Sequence, residues 1–226
     1  MQPYLRPLAC ALSAWVLSSG AVSAQGDDRR LALPPPDLKG TMPVEQALLQ
    51  RRSNREFAAA PLGLKEVSQV LWAAQGVTDP RGLRTAPSAG ALAPLELYLV
   101  AGNVTGLPAG LYRYHPESHA LFAIRAGELR PQLAAAALGQ SVIRDAPAAL
   151  VIAAEVQRTR NRYGDRAERY VHIEVGHAAQ NVYLQCTASG LGTVLIGAFD
   201  DLRMRETLGL PAEQAPLGLM PIGRKR

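Results

Sequence analysis

Segments with the hydrophobic spacing of an α-helix alternate along the chain with segments typical of β-strands. The helical spacing appears in three segments. Apolar residues at spacings of three and four predict a helix over 64–75, which Gly76 would end. A shorter helix is predicted over 43–52, where Pro43 suits the first turn. The longest helical pattern covers 168–188. Apolar side chains lie on nearly every side of it, so we expect other elements, including a subunit interface, to cover it all round.

Strand-like segments fill much of the remaining chain. They are apolar or rich in aromatic and β-branched residues and are bounded by turn residues: 95–101, 110–124 (two strands around a turn), 147–156, 193–196 and 216–223. The run over 147–156 is apolar throughout, which predicts a strand buried on both faces. Asp200 or Asp201 is placed to cap a short helix. Hairpin-type connections favour an α+β fold of two or three layers over a regular βαβ winding.

Residues 1–24 have the features of a signal peptide. Arg6 is their only charge, an apolar stretch covers 8–17, and the small residues of "AVSA" precede the expected cleavage site. The apolar stretch is too short to span a bilayer, so we expect a periplasmic or secreted protein without stable membrane insertion. The polar, proline-rich segment over 25–42 predicts a tether, or an arm across a partner. Residues 43–226 are then expected to form one domain.

Cysteine usage and charge exclude several classes of site. Cys10 would leave with the signal peptide, so Cys186 is the only cysteine of the mature chain and can form neither an internal disulfide nor a thiolate cluster. His172 and His177 lie five apart and not on one helix face, which argues against a metal site. Loss of Arg6 lowers the net charge from +5 to +4. With only three Phe and two Trp, the chain lacks the aromatic-interleaved basic stripe typical of a nucleic-acid partner.

Three short segments carry an unusual density of cationic or backbone donors. They are "RRSNREF" (51–57), the small-residue loop within "RTAPSAGALAPLE" (84–96), and "TVLIGAFDD" (193–201) beyond a strand. Guanidinium groups and a hydroxyl suit a phosphate, and small residues let a flat ligand lie against the main chain. Each segment alone also has a purely structural interpretation: arginines at a helix C-terminus, a simple turn, or a loop with a packed Phe.

Taken together and in this order, the segments resemble a known family. "RRSNREF", "RTAPSAGALAPLELYLV", "GLYRYHP", "RYVHIEVGHAAQNVYLQCTASGLGTVLIGAFDD" and "PLGLMPIGR" are similar to the nitroreductase-like flavoproteins, and within them to the SagB-type dehydrogenase branch. The resemblance runs from about Met42 to the C-terminus. It implies a nitroreductase-like α+β fold, with a central, mainly antiparallel sheet surrounded by helices. It also implies FMN bound between the two subunits of an obligate homodimer.

The resemblance also implies roles for individual residues. Four polar residues would meet the phosphate, the ribityl chain and the pyrimidine edge: Arg51, Arg52, Ser53 and Arg55. Four small residues of the other subunit would line the ring: Pro87, Ser88, Ala89 and Gly90. Four residues would cover the ring's opposite side, with a backbone N–H of one of the last two donating to flavin N5, where hydride enters and leaves: Leu195, Ile196, Gly197 and Ala198. Arg224 would reach the phosphate.

Two departures from the family pattern bear on the chemistry. Many members carry an asparagine where this chain has Ala91 and Leu92, as in the SagB branch. Azole-forming members of that branch use a Lys-Tyr pair, and the corresponding pair here is Arg162-Tyr163. Arginine holds its proton too tightly to act as a base, which argues against azoline oxidation. Tyr163 could still donate a proton or stack on the substrate, so it is a candidate catalytic residue.

The resulting expectation is an exported FMN-dependent oxidoreductase with a two-electron ping-pong cycle between a small-molecule donor and a small organic acceptor such as a quinone, a nitroaromatic or a flavin. One alternative is an exported, non-enzymatic flavin-binding module. The other is a structural or partner-binding domain with a degenerate pocket.

Other polar residues leave alternatives open. The arginine-rich stretch over 158–169 is either a solvated loop or a lip favouring anionic or electron-poor substrates. Glu174 and His177 are expected in buried hydrogen bonds or dimer contacts, and His115 and His119 are expected to flank a turn, exposed.

Overall fold

Residues 29–226 are described by a computed structural model, so the predicted signal peptide lies outside the described residues. The strands are β1 (Arg30–Ala32), β2 (Leu62–Gly63), β3 (Leu95–Ala101), β4 (Val104–Thr105), β5 (Gly110–His115), β6 (Ala120–Ala126), β7 (Ala148–Ala154), β8 (Leu191–Thr193) and β9 (Ala215–Arg224). The helices are α1 (Val44–Gln50), α2 (Leu64–Gln75), α3 (Arg130–Ala136), α4 (Ser141–Asp145), α5 (Val156–Tyr163), α6 (Ala167–Ala188) and α7 (Asp201–Leu208). Two short 3-10 turns cover Ala89–Ala91 and Gly164–Arg166.

A seven-stranded sheet forms the centre of the fold, in the order β1-β6-β5-β3-β7-β9-β8. Its strand pairs are antiparallel, which confirms the predicted mainly antiparallel sheet. The central strand β7 pairs with β3 through Leu97 and Ile152, and with β9 through Leu150 and Met220. Every residue of β7 is buried, as its unbroken apolar sequence predicts.

Helices cover both faces of the sheet, which gives three layers. Alternate residues of a strand point to opposite faces. Thus Leu150 and Ile152 of β7 pack into one hydrophobic core with α2 and α6. Ala149 and Val151 pack into a second core with α3, α4 and α7. Cys186 is buried in the first core as a free thiol and packs there as a small apolar residue. Burial raises the pKa of this thiol to about 12, so it stays protonated.

The long helix α6 is buried along only part of its circumference in a single chain. Val171, Ala178 and Val182 form its buried stripe, but Ile173 is 48% exposed. A Cβ added to Gly176 would meet no atom within 4 Å. The expectation that α6 is covered on all sides is therefore wrong for one chain. A helix with apolar and small residues on an open face still has surface that favours burial against another body.

Part of the proline-rich segment belongs to the sheet. Its residues Arg30–Ala32 pair with β6, and Leu33 is buried. His119, which we expected to be exposed, is half-buried. Its Nε2 lies 3.0 Å from the Pro34 carbonyl, and its Nδ1 lies 2.9 Å from the Tyr114 hydroxyl. The segment lies against the β5–β6 turn and covers this histidine, which is why the exposure prediction fails.

Two further boundaries differ from the predicted ones. The strand predicted over 193–196 ends at Thr193, because the next amides bond elsewhere: Leu195 N–H donates to a tyrosine hydroxyl on α6. Much of the stretch over 158–169 is helical in α5 and at the start of α6, so it is not a loop.

Asp200 caps α7, since its side chain accepts from Arg203 N–H at 3.0 Å. Among residues 29–226, no helix combines the length and apolarity needed to cross a bilayer.

Candidate functional site

Tyr183 on α6 joins two of the three donor-rich segments. Its hydroxyl accepts from Leu195 N–H at 2.7 Å and lies 3.1 Å from Ser53 Oγ. The segment that carries Ser53 is held beside β8, because Asn54 N–H donates to the Thr193 carbonyl at 2.9 Å. With the Leu195 amide as its donor, the Tyr183 hydroxyl can give its own proton to Ser53. The Ser53 proton is then available for a ligand.

The predicted phosphate-binding arginines have different partners in this structure. The Arg51 guanidinium stacks 5.2 Å from the Tyr183 ring centroid. The Arg52 guanidinium donates to the carbonyls of Leu49 and Arg51 and so caps α1. Arg55 is exposed and has no hydrogen bond or ion pair within residues 29–226.

Arg224 also has a partner in the chain. Its Nη2 lies 3.0 Å from Oε1 of Glu66 on α2. Since Glu66 also accepts from Gly63 N–H at 2.7 Å, this carboxylate fixes the start of α2 as well as the arginine. Arg224 would have to share or leave Glu66 to reach a phosphate.

The loop after β8 presents unused backbone donors. Ile196 pairs with Leu219 of β9 in both directions, which anchors the loop to the sheet. Gly197 and Ala198 are exposed, and their N–H groups donate to no atom within the described part of the chain. The Ala198 carbonyl accepts from Gln140 Nε2 at 3.0 Å, which fixes the orientation of this loop. Tyr183 contacts Arg51, Ser53 and Leu195. We call these residues, with Arg55 and Ile196–Ala198 on the same two segments, the Tyr183 group.

The small-residue loop over 87–90 lies elsewhere in the chain. It follows an unusual path, with φ of +62° at Gly90, +55° at Ala91 and +45° at Ala93. Positive φ is costly for alanine, so other contacts must hold the loop in place. Ser88 Oγ accepts from Ala93 N–H at 2.9 Å, and Ala89 N–H donates to the Glu174 carboxylate at 2.8 Å.

Glu174 is a buried acid beneath this loop, with 3% of its surface exposed. Burial raises the pKa of its carboxyl above the ordinary value, and the bonds from Ala89 and Ser88, together with nearby His177, oppose that shift. The expected buried hydrogen bonding of Glu174 is confirmed. His177 is exposed.

The end of α5 completes this second assembly. A Cβ placed on Gly90 would lie 2.8 Å from the Tyr163 hydroxyl and 3.0 Å from an Arg162 nitrogen. Tyr163 is itself held edge-on against Tyr170, with ring centroids 5.0 Å apart. We call Pro87–Gly90, Tyr163 and Glu174 the Glu174 group.

The two groups lie on opposite edges of the exposed face of α6. Glu174 and Tyr183 are nine residues apart, which corresponds to about 14 Å along the helix axis and about half a turn around it. One chain therefore brings Arg51, Ser53 and Leu195 together, but it does not bring Pro87–Gly90 to them. Tyr183, Glu174 and Gln140 were missed as site residues by sequence reasoning, because each acts through contacts to residues distant in sequence.

The sequence profile of the nitroreductase family matches residues 48–224, from the end of α1 to the last residue of β9. The chain belongs to the nitroreductase family. Its nitroreductase-like fold is thereby confirmed, and the family is one of oxidoreductases.

Individual relatives agree with the assignment. MJ1384 of Methanocaldococcus jannaschii, which bears a nitroreductase name, is 50% identical to this chain over 200 residues. The matched region covers 88% of this chain and 98% of the relative. A crystal structure from Ralstonia eutropha, also named for the nitroreductases, superposes with a TM-score of 0.77 at 35% identity and covers 89% of this chain and 91% of its own. An NADPH:FMN oxidoreductase of Vibrio harveyi, solved with NAD+, shares the fold with a TM-score of 0.59 at 23% identity, covering 80% and 68%.

Tyr183→Phe should lower the free energy of unfolding by about 1 kcal/mol, because the Leu195 amide and Ser53 lose their shared partner. Urea denaturation at fixed protein concentration measures this. Tyr170→Phe is the control: the Tyr170 hydroxyl makes no hydrogen bond in the described chain, and its loss should matter by less than about 0.5 kcal/mol. Equal losses in the two variants would contradict the linking role of Tyr183.

Glu174→Gln should change the pH dependence of stability. Since the folded-state pKa of Glu174 is raised, the folded protein holds its proton longer than the unfolded chain. Stability attributable to this group is present at low pH and is lost as pH rises from about 4.5 through the raised folded pKa. Glutamine keeps an acceptor for the Ala89 amide but does not ionise.

The variant should therefore lose less stability than the wild type between about pH 4.5 and neutral pH, because it has no group at this position that ionises. Unfolding free energies measured across this interval test the difference. The control is Glu168→Gln, an exposed acid of the same helix. An unchanged pH slope in Glu174→Gln would contradict a buried, proton-retaining carboxyl.

Proposed function

We propose that the protein is an FMN-dependent oxidoreductase that binds its cofactor between the two subunits of a homodimer. The carrying observation is the set of unused donors in the Tyr183 group. An unpaired Arg55 guanidinium, a Ser53 hydroxyl free to donate and two exposed amides at Gly197 and Ala198 lie on the two segments that Tyr183 joins. Such a set suits a ligand with an anionic end and a ring bearing several acceptors.

The chemistry of these donors fits FMN. Arg51 and Ser53, with Arg52 and Arg224 if they rearrange, would hold the phosphate and the ribityl chain, and guanidinium groups offset the cost of burying a phosphate. Arg55 would lie at the pyrimidine edge and favour negative charge there. The neighbour from Vibrio harveyi, which shares the fold, is an NADPH:FMN oxidoreductase, and this supports FMN as the cofactor of this chain.

Bound FMN would supply a hydride-accepting and hydride-donating ring position, N5. The chain's own contribution is to place and orient that ring. Leu195 and Ile196 would cover one side, and the amide of Gly197 or Ala198 would donate to N5. Because Gln140 holds the Ala198 carbonyl, the loop is oriented before the ligand arrives.

The second half of the site would come from the other copy. Pro87, Ser88, Ala89 and Gly90 of the partner subunit would line the ring. The support is the arrangement on α6: each chain carries the Tyr183 group on one edge of an open helix face and the Glu174 group on the other. A second copy packed on that face with two-fold symmetry can bring unlike edges together.

Exposed apolar side chains on neighbouring elements support the same interface. Leu48 and Leu49 of α1 are 53% and 74% exposed, and Val44 on the same helix is 57% exposed. Ile173 and Gly176 on α6, the helix against which α1 packs, are likewise uncovered, so both helices expose apolar surface to water in an isolated chain. Burial of such a surface is the usual driving force for a stable dimer.

The proposed reaction is a two-electron ping-pong cycle in which a small-molecule donor leaves before a small organic acceptor binds. Tyr163 would donate a proton to the acceptor or stack on it. Its position against the loop that lines the ring supports that role.

The order of motifs, with Ala91 and Leu92 after the loop, supports placement near the SagB-type dehydrogenases. We further propose export through residues 1–24, with residues 25–42 as a connecting segment and residues 43–226 as the FMN domain.

The purified protein should be yellow, with the absorbance bands of oxidised flavin, and mass spectrometry of the heat-released chromophore should give FMN. Arg55→Ala should weaken FMN binding at least about tenfold, because a charge-assisted hydrogen bond is lost. Arg144→Ala, which removes an exposed arginine of α4 paired with Asp145, is the matched control.

Colourless protein that cannot take up FMN would refute the cofactor. Tight FMN binding without turnover, across several donors and acceptors, would instead favour the flavin-binding module.

A further inference from the structure

A basic surface lies directly beside the loop predicted to line the flavin. Arg162 and Tyr163 end α5, and both side chains approach the position that a Gly90 side chain would occupy. The Arg162 guanidinium lies 5.6 Å from the Tyr163 ring centroid. Tyr163 packs edge-on against Tyr170. This contact holds the Tyr163 ring, over which Arg162 lies, beside the loop over 87–90.

Several arginines around this point have no acidic partner. Arg158 pairs with Glu96 and Glu155, and Arg160 pairs with Glu168. By contrast, three arginines form no salt bridge within residues 29–226: Arg162, Arg166 and Arg169. We call these three residues the basic lip. Two exposed acids lie between them, Asp165 and Glu168. Glu168 already pairs with Arg160, so the lip keeps a surplus of positive charge.

Arg162 is the residue of the lip that meets the loop. Glycine suits position 90 for two reasons: its φ is positive, and a side chain there would press on the Tyr163 hydroxyl and the Arg162 guanidinium. A molecule bound against Gly90 therefore lies close to the Arg162 guanidinium and the Tyr163 hydroxyl. Unpaired guanidinium groups attract carboxylate or sulfonate groups and form paired hydrogen bonds with them.

We propose that Arg162 is a specificity-determining residue that selects electron acceptors carrying an anionic group on a flat ring. This inference rests on the proposed function and deepens it. In the proposed dimer, the basic lip stands at the rim of the pocket that the loop over 87–90 lines. The acceptor's ring enters the pocket, and its anionic group stays at the rim beside Arg162.

The reduction balances with a quinone as acceptor. The quinone gains two electrons and two protons and becomes a quinol: one proton arrives with the hydride, and the other comes from the Tyr163 hydroxyl, which regains it from water. A reduced nicotinamide, added as the donor, loses the two electrons as a hydride and becomes the oxidised nicotinamide. The anionic group takes no part in the redox step and contributes only to binding.

The experiment compares two acceptors with the FMN-loaded full chain: menadione, which is neutral, and a ring-sulfonated naphthoquinone. The measured quantity is the ratio of kcat/KM for the sulfonated quinone to kcat/KM for menadione. In Arg162→Gln this ratio should fall about fivefold relative to the wild type, since one favourable charge contact is lost. FMN content should stay unchanged, and menadione, which carries no anionic group, is the reference acceptor within each variant.

Arg162→Lys keeps the charge and should retain most of the wild-type ratio. Arg144→Gln, a remote exposed arginine, should leave the ratio unchanged and so control for net charge. Added salt should lower the wild-type ratio toward that of Arg162→Gln.

A ratio that is unchanged in Arg162→Gln, with menadione still reduced, would overturn the role of Arg162 and leave the oxidoreductase proposal intact. Failure of both quinones to react in FMN-loaded wild type, across several reductants, would count against both proposals.

Discussion

The geometry of α6 is the constraint on which the rest of the site depends. An α-helix turns by about 100° per residue, so two side chains nine residues apart point in opposite directions. Glu174 and Tyr183 have this spacing, and each gathers a different set of site residues. One chain can therefore hold each half of the site firmly and still not bring the halves together. A two-fold partner on the open face of α6 resolves this separation, because it places unlike edges of two copies side by side.

Each half of the site is held in place by one buried or half-buried polar side chain. The Glu174 carboxyl is taken out of water, which disfavours its charged form. In return it fixes a loop that contains two alanines with positive φ. The Tyr183 hydroxyl bonds to a neighbouring amide and a serine and so stabilises the two segments that it joins. The Glu174 arrangement gives up stability for a preset shape, as is common at functional sites.

Much of the fold could be predicted from the sequence because its signals are local. Hydrophobic period identifies α2, α6 and the strands β3, β5, β6, β7 and β9, and the continuous apolar run identifies the central strand. The failures have local causes too. Strand β1 has only three residues, too few to show a period. The end of β8 depends on Tyr183, and the burial of His119 depends on Pro34, both far away in sequence.

The candidate site, too, could be predicted only in part from the sequence. The three donor-rich segments could be identified in the sequence because their residue composition is unusual. The structure brings two of the three together at Tyr183. The residues that position them were not visible: Tyr183 fits an apolar helix pattern, and Gln140 has no local signal. The separate fates of Arg52, which caps α1, and Arg55, which is free, follow from where α1 ends. That boundary is among the least certain features of a sequence-based prediction.

Complementation between two defective chains tests the central claim most directly. One chain carries Arg55→Ala and the other Gly90→Val, so each homodimer is damaged at both sites. A heterodimer purified through two different tags should bind FMN with wild-type affinity at one of its two sites, where the intact halves of the two chains meet. A heterodimer whose sites are both as weak as those of the homodimers would contradict a site shared between subunits.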